Sequence, residues 1–108
     1  MENITLEDFA KLDLRLAKIL SAERLKGSKK LLKLKVSLGK EERTLVAGIA
    51  EYYEPKDLEG KKILILANLQ PKKIFGVESQ GMILALSDGK ELSLLVPDRD
   101  IKEGAKAS

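Results

Sequence analysis

The segment from Leu32 to Leu38 constrains the fold most, because apolar and polar residues alternate along its whole length. A two-residue period of this kind is typical of a β-strand that buries one face. The apolar residues of the segment are therefore expected to face the core. Lys33 and Lys35 are expected to lie together on the outer face, about 7 Å apart along the strand.

Strand patterns also occupy much of the remaining chain. The segment 12–19 alternates with one change of phase at Ala17, which predicts a long strand with a β-bulge. Short helices are predicted at 5–11 and 55–60. The complete set of predicted strands is 12–19, 32–38, 43–49, 63–67, 82–86 and 92–96. Six strands with so little helix indicate an all-β barrel or sandwich.

The last three of these strands are almost continuously apolar, which requires cover on both faces. A small barrel buries only one face of each strand, so the other apolar face needs a second copy of the chain. We therefore expect a homodimer, with Ile65, Leu94 and Val96 at the contact between the two subunits.

The composition excludes several classes of function. The chain has no histidine and no cysteine, so it lacks the commonest general base, the usual zinc ligands and thiol nucleophiles. Gly76 and Gly81 are not followed by the Lys-Ser/Thr ending of a phosphate-binding loop. We expect a single domain over residues 1–108 that is not an enzyme by itself and needs no metal or cofactor.

The sequence also carries no signal for a membrane. No apolar run approaches the ~20 residues of a membrane-spanning helix. The N-terminus is acidic and polar where a signal peptide requires a basic and then an apolar stretch. We expect a cytoplasmic protein.

Positive charge is concentrated in one part of the chain. Seven basic residues and no acid lie between Arg24 and Lys40. A one-sided basic block is typical of a protein that binds phosphate groups. Lysines on an edge strand that discourage aggregation explain the block equally well, so charge alone leaves both interpretations open.

The segment 68–79 is a second charged stretch, and it separates two apolar strands. Lys72 and Lys73 are suited to phosphate contacts, and Phe75 beside them is suited either to stacking on one base or to closing the barrel mouth. The chain has only two phenylalanines, two tyrosines and no tryptophan. So few aromatic residues cannot form a long stacking platform, which favours a folded RNA recognised by its shape and phosphates.

Five blocks of sequence together resemble the tRNA-binding domain family. That family includes the C-terminal domain of many methionyl-tRNA synthetases, free-standing bacterial tRNA-binding proteins and the synthetase-associated cofactors of eukaryotes. The tandem Asn-Leu-Gln-Pro-Lys-Lys and Ser-Gln-Gly-Met blocks are the most specific. The blocks are DF…DLR (8–15), KLLKLKV (30–36), RTLVAGI (43–49), ANLQPKK (67–73) and SQGM (79–82).

The resemblance implies an OB fold, which is a closed five-stranded barrel, here with short helices and an extra C-terminal strand used in dimerisation. It also implies binding of tRNA as a folded object. Lys29 and Lys30 lie in the turn before the second strand, where many relatives carry an acid. They add positive charge to that turn. The residues that the resemblance associates with RNA contact are Lys33, Lys35, Asn68, Lys72, Lys73, Ser79 and Met82. Two of these assignments have alternatives, since Met82 also suits the barrel core and Asn68 also suits a turn.

The function implied by the resemblance is a non-catalytic tRNA-binding and dimerisation module that supports the catalytic part of a methionyl-tRNA synthetase. A free-standing tRNA-binding protein or chaperone is the nearest alternative. A pure assembly domain that binds no RNA belongs to a different class of function, and a general OB-fold binder of single strands is a third possibility.

Overall fold

The computed structural model describes residues 1–108 and contains ten strands and two short helices. In chain order the elements are α1 (Leu6–Ala10), β1 (Leu14–Arg24), β2 (Leu32–Ser37), β3 (Glu42–Ala47), α2 (Pro55–Leu58), β4 (Lys62–Leu66), β5 (Lys72–Ile74), β6 (Val77–Ser79), β7 (Met82–Ile83), β8 (Ala85–Ser87), β9 (Leu92–Leu94) and β10 (Lys106–Ala107). The predicted all-β class is confirmed. No helix has the length and apolar character that crossing a membrane requires.

The main sheet is antiparallel and is built around the long strand β1. Its strand order is β3-β2-β1-β4-β7. The β5–β6 and β8–β9 pairs form two separate hairpins. The predicted bulge in β1 exists, but the register shifts between Ile19 and Ser21 rather than at Ala17. The change of phase in the sequence therefore identifies the irregular strand, but the predicted position of the bulge is wrong by a few residues.

Strand β2 has the alternation that its sequence predicts. Leu32, Leu34 and Val36 are fully buried, and the side chains of Lys33 and Lys35 are 41% and 57% exposed. The inward residues pack with apolar side chains of β1, β3 and β4 in one core cluster. The outward lysines leave the outer face of β2 polar.

The sheet is open in its backbone ladder, so the closed five-stranded barrel predicted from the resemblance is not confirmed. Its edge strands β3 and β7 do not pair with each other. Residues 79–80 bridge the gap instead, and the amide of Gln80 donates to the carbonyl of Thr44 at 2.8 Å. The apolar run 82–86 is also not one strand, since β7 ends at Ile83 and the amide of Leu84 bonds to the carbonyl of Leu64.

Two of the three residues predicted at a dimer contact belong to the core of the single chain. Ile65 has no exposed surface and Leu94 is 5% exposed. Ile65 therefore cannot touch a second subunit through its side chain, and that prediction is wrong. The chain itself fully covers only the face of β4 that carries Ile63 and Ile65, whereas Leu64 and Leu66 on the other face are half-buried. Val96, by contrast, is 58% exposed.

A short strand near the C-terminus, β10, packs on its own chain, so the structure does not show the predicted use of an extra C-terminal strand in dimerisation. Strand β10 pairs with Leu14 and Arg15 at the beginning of β1, while β2 pairs with β1 only from Lys18 onward. Upstream of β10, the amide of Leu16 donates to the carbonyl of Ala105 at 2.9 Å. The polar tail after Pro97 is therefore part of the fold.

Candidate nucleic-acid interface

The β5–β6 hairpin carries the predicted lysine pair to an exposed tip. Lys72 pairs with Ser79 and Lys73 with Glu78, so the two lysines lie on opposite faces of the hairpin. The two turn residues, Phe75 and Gly76, both have positive φ, at 49° and 80°. Positive φ at both central residues is the requirement of a type I′ turn, which suits the twist of a tight hairpin.

The tip of this hairpin lies against the turn between β1 and β2. A Cβ atom placed on Gly27 would be 3.9 Å from Cε2 of the Phe75 ring. The turn is held in shape by the hydroxyl of Ser28, which accepts hydrogen bonds from the amides of Lys30 and Leu31, each at 3.2 Å. Two charged segments far apart in sequence therefore meet at one point.

Five lysines lie within three residues of Gly27 or Phe75 in the sequence, and we call this group the basic rim. Its members are Lys26, Lys29, Lys30, Lys72 and Lys73, and all five are exposed. None of them has a carboxylate oxygen within 4.0 Å. The rim is therefore a set of cationic groups without partners from the protein, which is the property needed to bind phosphates.

Lys33 and Lys35 differ from the rim lysines, because each has an acid beside it. The Nζ atom of Lys33 lies 3.7 Å from Oε1 of Glu23, and that of Lys35 lies 3.5 Å from Oε1 of Glu42. Exposed pairs of this kind contribute little to stability. They do reduce the positive charge that the outer face of β2 presents to a ligand.

Asn68 has a structural role in addition to its predicted place in the interface. Its Oδ1 accepts from the amide of Asp13 at 2.9 Å, and its Nδ2 donates to the carbonyl of Lys11 at 2.6 Å. The side chain therefore fixes the segment before β1 to the end of β4. Both polar ends of the amide are used inside the protein, which matches the alternative that Asn68 stabilises a turn.

Ser79 is likewise used inside the protein. It is 5% exposed. Its hydroxyl accepts from the amide of Val46 at 3.0 Å and donates to the carbonyl of Gly81 at 3.1 Å. These two bonds help to bridge the open edge of the sheet. The structure thus places the Ser79 hydroxyl away from the surface on which an RNA contact was predicted.

Position 81 requires a glycine, because other atoms of the protein lie close to its backbone. A Cβ there would lie 2.8 Å from the carbonyl oxygen of Leu66 and 3.2 Å from Cδ2 of Leu45. Its φ of 141° also disfavours a side chain. Met82, the next residue, is 44% exposed, so the alternative that it fills the core is wrong, and it remains available to a ligand.

Arg43 is a structural residue that is not among the predicted site residues. Its guanidinium donates to the backbone carbonyls of Ala67 and Gln80 and also pairs with Glu41 at 3.2 Å. It therefore joins the beginning of β3 to the two segments on either side of the β5–β6 hairpin. The only local signal for this role was an arginine at the beginning of the predicted strand 43–49.

Asp13 and Arg15 form a close ion pair at the beginning of β1. The Nε atom of Arg15 donates to Oδ1 of Asp13 at 2.8 Å. That hydrogen bond holds the pKa of Asp13 below its ordinary value of 3.8, while desolvation acts in the opposite direction. The same bond raises the pKa of Arg15 further above its already high ordinary value. Both groups are charged at neutral pH and stabilise the end of the segment that Asn68 holds.

An apolar groove lies on another part of the molecule. It has a volume of 530 Å³, and nine of its eleven lining residues are hydrophobic. Leu86, Val96 and Ile101 line it and are 64%, 58% and 49% exposed. Residues 105–107 of the C-terminal segment form part of its wall. Large apolar side chains exposed together in this way are typical of an interaction surface.

The open all-β sheet, with a cationic turn and hairpin meeting at one point, defines a small nucleic-acid-binding module. The chain belongs to the tRNA binding domain family, whose model matches residues 14–106. It corresponds to one portion of the methionine–tRNA ligases, as the following matches show.

The chain is 57% identical over 106 residues to the methionine–tRNA ligase of Methanoculleus marisnigri. It is 55% identical over 106 residues to the methionine–tRNA ligase of Pyrococcus horikoshii. These matches cover 98% of the chain but 16% and 15% of the two ligases. The chain therefore spans about one sixth of the length of the curated relatives it matches.

Solved structures share both the fold and the size of this chain. A MetRS-related protein from Pyrococcus horikoshii superposes with a TM-score of 0.94 at 39% identity, with both chains covered completely. The chaperone CsaA from Bacillus anthracis superposes with a TM-score of 0.91 at 28% identity, covering 99% of this chain and 100% of that one. The same fold therefore occurs as a free-standing protein and as a portion of a ligase.

Proposed function

We propose that the basic rim is the surface on which this domain binds tRNA. In this proposal the domain supports aminoacylation by the catalytic part of a methionine–tRNA ligase, in the cytoplasm, by raising the affinity for tRNA. The observation that carries the proposal is the meeting of two lysine-bearing segments at the Gly27–Phe75 contact, with no acid paired to any of the five lysines. Lys33, Lys35 and Met82 extend this surface as secondary contacts.

The rim is suited to a structured polyanion because its charges are spread over a turn and a hairpin, and do not follow one groove. Each lysine that contacts a phosphate releases counterions when the RNA binds. Affinity should therefore fall steeply with salt and depend little on the tRNA species. Contacts of this kind fix the position of the RNA backbone without reading its sequence.

The proposal is tested by titrating tRNA at several salt concentrations. Replacement of Lys72 and Lys73 by alanine should weaken binding to every tRNA about equally and lower the slope of log affinity against log salt by about 1.5. Lys90→Ala, in the exposed turn of the β8–β9 hairpin, is the matched control and should leave both quantities unchanged. An unaltered slope in the double variant would show that the rim is not the binding surface.

We also propose that the domain is a homodimer, and that the open sheet is an OB barrel completed by residues 79–81 in place of a paired strand. The groove supports the dimer, because Leu86, Val96 and Ile101 expose apolar surface at a single place. Dimerisation through this groove leaves the basic rim open, since none of the rim lysines lines it.

A free-standing protein is the nearest alternative. Among free-standing roles, the apolar groove favours a chaperone. The relative from Bacillus anthracis is named a chaperone, and an open apolar groove suits an unfolded peptide. The length of the open reading frame distinguishes an attached domain from a free-standing one. Competition between tRNA, unstructured polynucleotide and an apolar peptide distinguishes the proposed function from a single-strand binder, a chaperone or a pure assembly domain.

A further inference from the structure

The residue at the tip of the β5–β6 hairpin is unusual for its position. Phe75 is the only non-glycine residue of the chain with positive φ. The two central positions of a type I′ turn strongly prefer Asn-Gly, because asparagine tolerates the left-handed region and bulky residues do not. The chain places Phe-Gly there, so the turn itself does not explain the aromatic side chain.

Packing explains the ring only in part. One edge of the ring faces Gly27, where an added Cβ atom would be 3.9 Å from it, yet 59% of Phe75 is exposed. Phe75 belongs neither to the core cluster nor to the partly buried residues that pack against it. The ring therefore lies beside the Gly27 turn, and most of its surface is open to solvent next to the lysines of the basic rim.

We propose that Phe75 is a stacking platform for one unpaired base of the bound RNA. An exposed aromatic ring among lysines can stack on a base while the lysines bind the adjacent phosphates. The bases of a continuous duplex are stacked on each other and offer no free face. The substrate feature recognised at the tip is therefore an unstacked nucleotide in a loop, a bulge or a single-stranded end. This inference rests on the proposed tRNA-binding rim.

The first experiment uses Phe75→Trp, because the chain contains no other tryptophan. Its fluorescence is expected to be quenched when unfractionated tRNA binds, through stacking on a base. A blunt RNA duplex with the same number of phosphates, added at low salt, is expected to bind without that quenching. Equal quenching by both RNAs, or no change with tRNA at saturation, would overturn the proposal.

The second experiment uses Phe75→Asn, which gives the turn its preferred Asn-Gly pair. Its thermal stability is expected to equal or exceed that of the wild type, while tRNA affinity falls about five-fold or more, the loss that accompanies removal of one base–aromatic stack. The salt slope is expected to remain unchanged, because no phosphate contact is removed. Tyr52→Leu, at another exposed aromatic residue, is the matched control and should bind as the wild type does.

The two proposals fail in different ways. Weaker binding in the Lys72 and Lys73 variants with wild-type affinity in Phe75→Asn would leave the rim intact and overturn the stacking proposal. A loss of stability in Phe75→Asn with unchanged affinity would show that the ring acts only by packing on Gly27. Wild-type affinity and salt slope in the lysine variants would instead show that the basic rim does not bind tRNA, and both proposals would then fail.

Discussion

The backbone amide of Val46 donates a hydrogen bond of 3.0 Å to the hydroxyl of Ser79, across the open edge of the sheet. The two residues are 33 positions apart in the chain, and the same hydroxyl donates to the carbonyl of Gly81. The serine hydroxyl thus joins β3 to the end of β6, next to the backbone bond from Gln80 to Thr44. The resemblance assigns this serine to RNA contact, whereas its burial and bonding assign it to closure of the sheet.

Replacement of Ser79 by alanine is expected to lower the free energy of unfolding by about 1–3 kcal/mol, because the buried amide of Val46 loses its partner. Urea-induced unfolding measures this change. Ser93→Ala is the matched control, since that hydroxyl is exposed and bonds only to its neighbour's carbonyl at 3.3 Å, and its effect should stay within about 0.5 kcal/mol. Weaker tRNA binding by folded Ser79→Ala at unchanged stability would restore the RNA-contact assignment.

Local patterns in the sequence predict the strands well and the roles of single polar residues poorly. The alternation in 32–38 places Lys33 and Lys35 on the outer face, because a strand fixes the side of each residue by its period alone. The partners of Asn68 and Ser79 lie far away in sequence, so no local pattern could show that their polar atoms are already used.

The cover on an apolar strand is also not visible in its own sequence. The apolar run of β4 requires cover on both faces, but a strand pattern does not say whether the cover comes from the same chain or from a second subunit. Here the cover over Ile65 is the chain itself. In the sequence, Val96 is one apolar position among several, and the local pattern does not mark it as part of a groove.

Removal of the acidic groups beside Lys33 and Lys35 is expected to strengthen tRNA binding. Glu23→Gln combined with Glu42→Gln removes the carboxylates at 3.7 and 3.5 Å and frees both ammonium groups for phosphates. We expect tighter tRNA binding at low salt and a steeper salt dependence than in the wild type. The change in stability should be small, because exposed ion pairs contribute little.

A matched control for that gain is Glu59→Gln with Glu91→Gln, because both residues are exposed and neither is paired with a lysine, so the net charge changes equally without freeing one. The double variant at Glu23 and Glu42 should exceed this control in both affinity and salt slope. Equal affinities in the two double variants would show that Lys33 and Lys35 lie outside the tRNA surface and that only the overall charge matters.

The apolar groove predicts two kinds of response to an added charge. Leu86→Asp and Val96→Asp introduce a carboxylate at residues that are 64% and 58% exposed, so they should convert the proposed dimer to a folded monomer. Ile65→Asp buries an unpaired charge in the core and should prevent folding. Sedimentation velocity reports the oligomeric state, and circular dichroism reports whether the chain is folded.

Both groove variants should bind tRNA through the rim of the monomer with a similar salt slope. A wild-type chain that sediments as a monomer at all concentrations would contradict the proposed dimer. A loss of secondary structure in Val96→Asp comparable to that in Ile65→Asp would show that the groove is part of the core.

The ion pair between Asp13 and Arg15 predicts how stability depends on acid pH. Because the pKa of Asp13 is lowered from 3.8 by the hydrogen bond from Arg15, the folded chain binds a proton at this carboxyl less readily than the unfolded chain does. The stabilising contribution is therefore fully present well above pH 3.8 and is lost as the pH falls through the lower pKa of the folded state. Its size is small, because solvent screens a partly exposed pair.

Replacement of Asp13 by asparagine should reduce stability near pH 6, and its difference from the wild type should shrink as the pH falls below 3.8. Urea unfolding between pH 6 and pH 2 measures this convergence, with exposed Asp98→Asn as the control. Some acid dependence should persist in the variant, because backbone amides of Glu91 and Lys90 lower the pKa of Asp88 as well. Curves for Asp13→Asn and the wild type that stay parallel down to pH 2 would contradict a stabilising role for the Asp13 carboxylate.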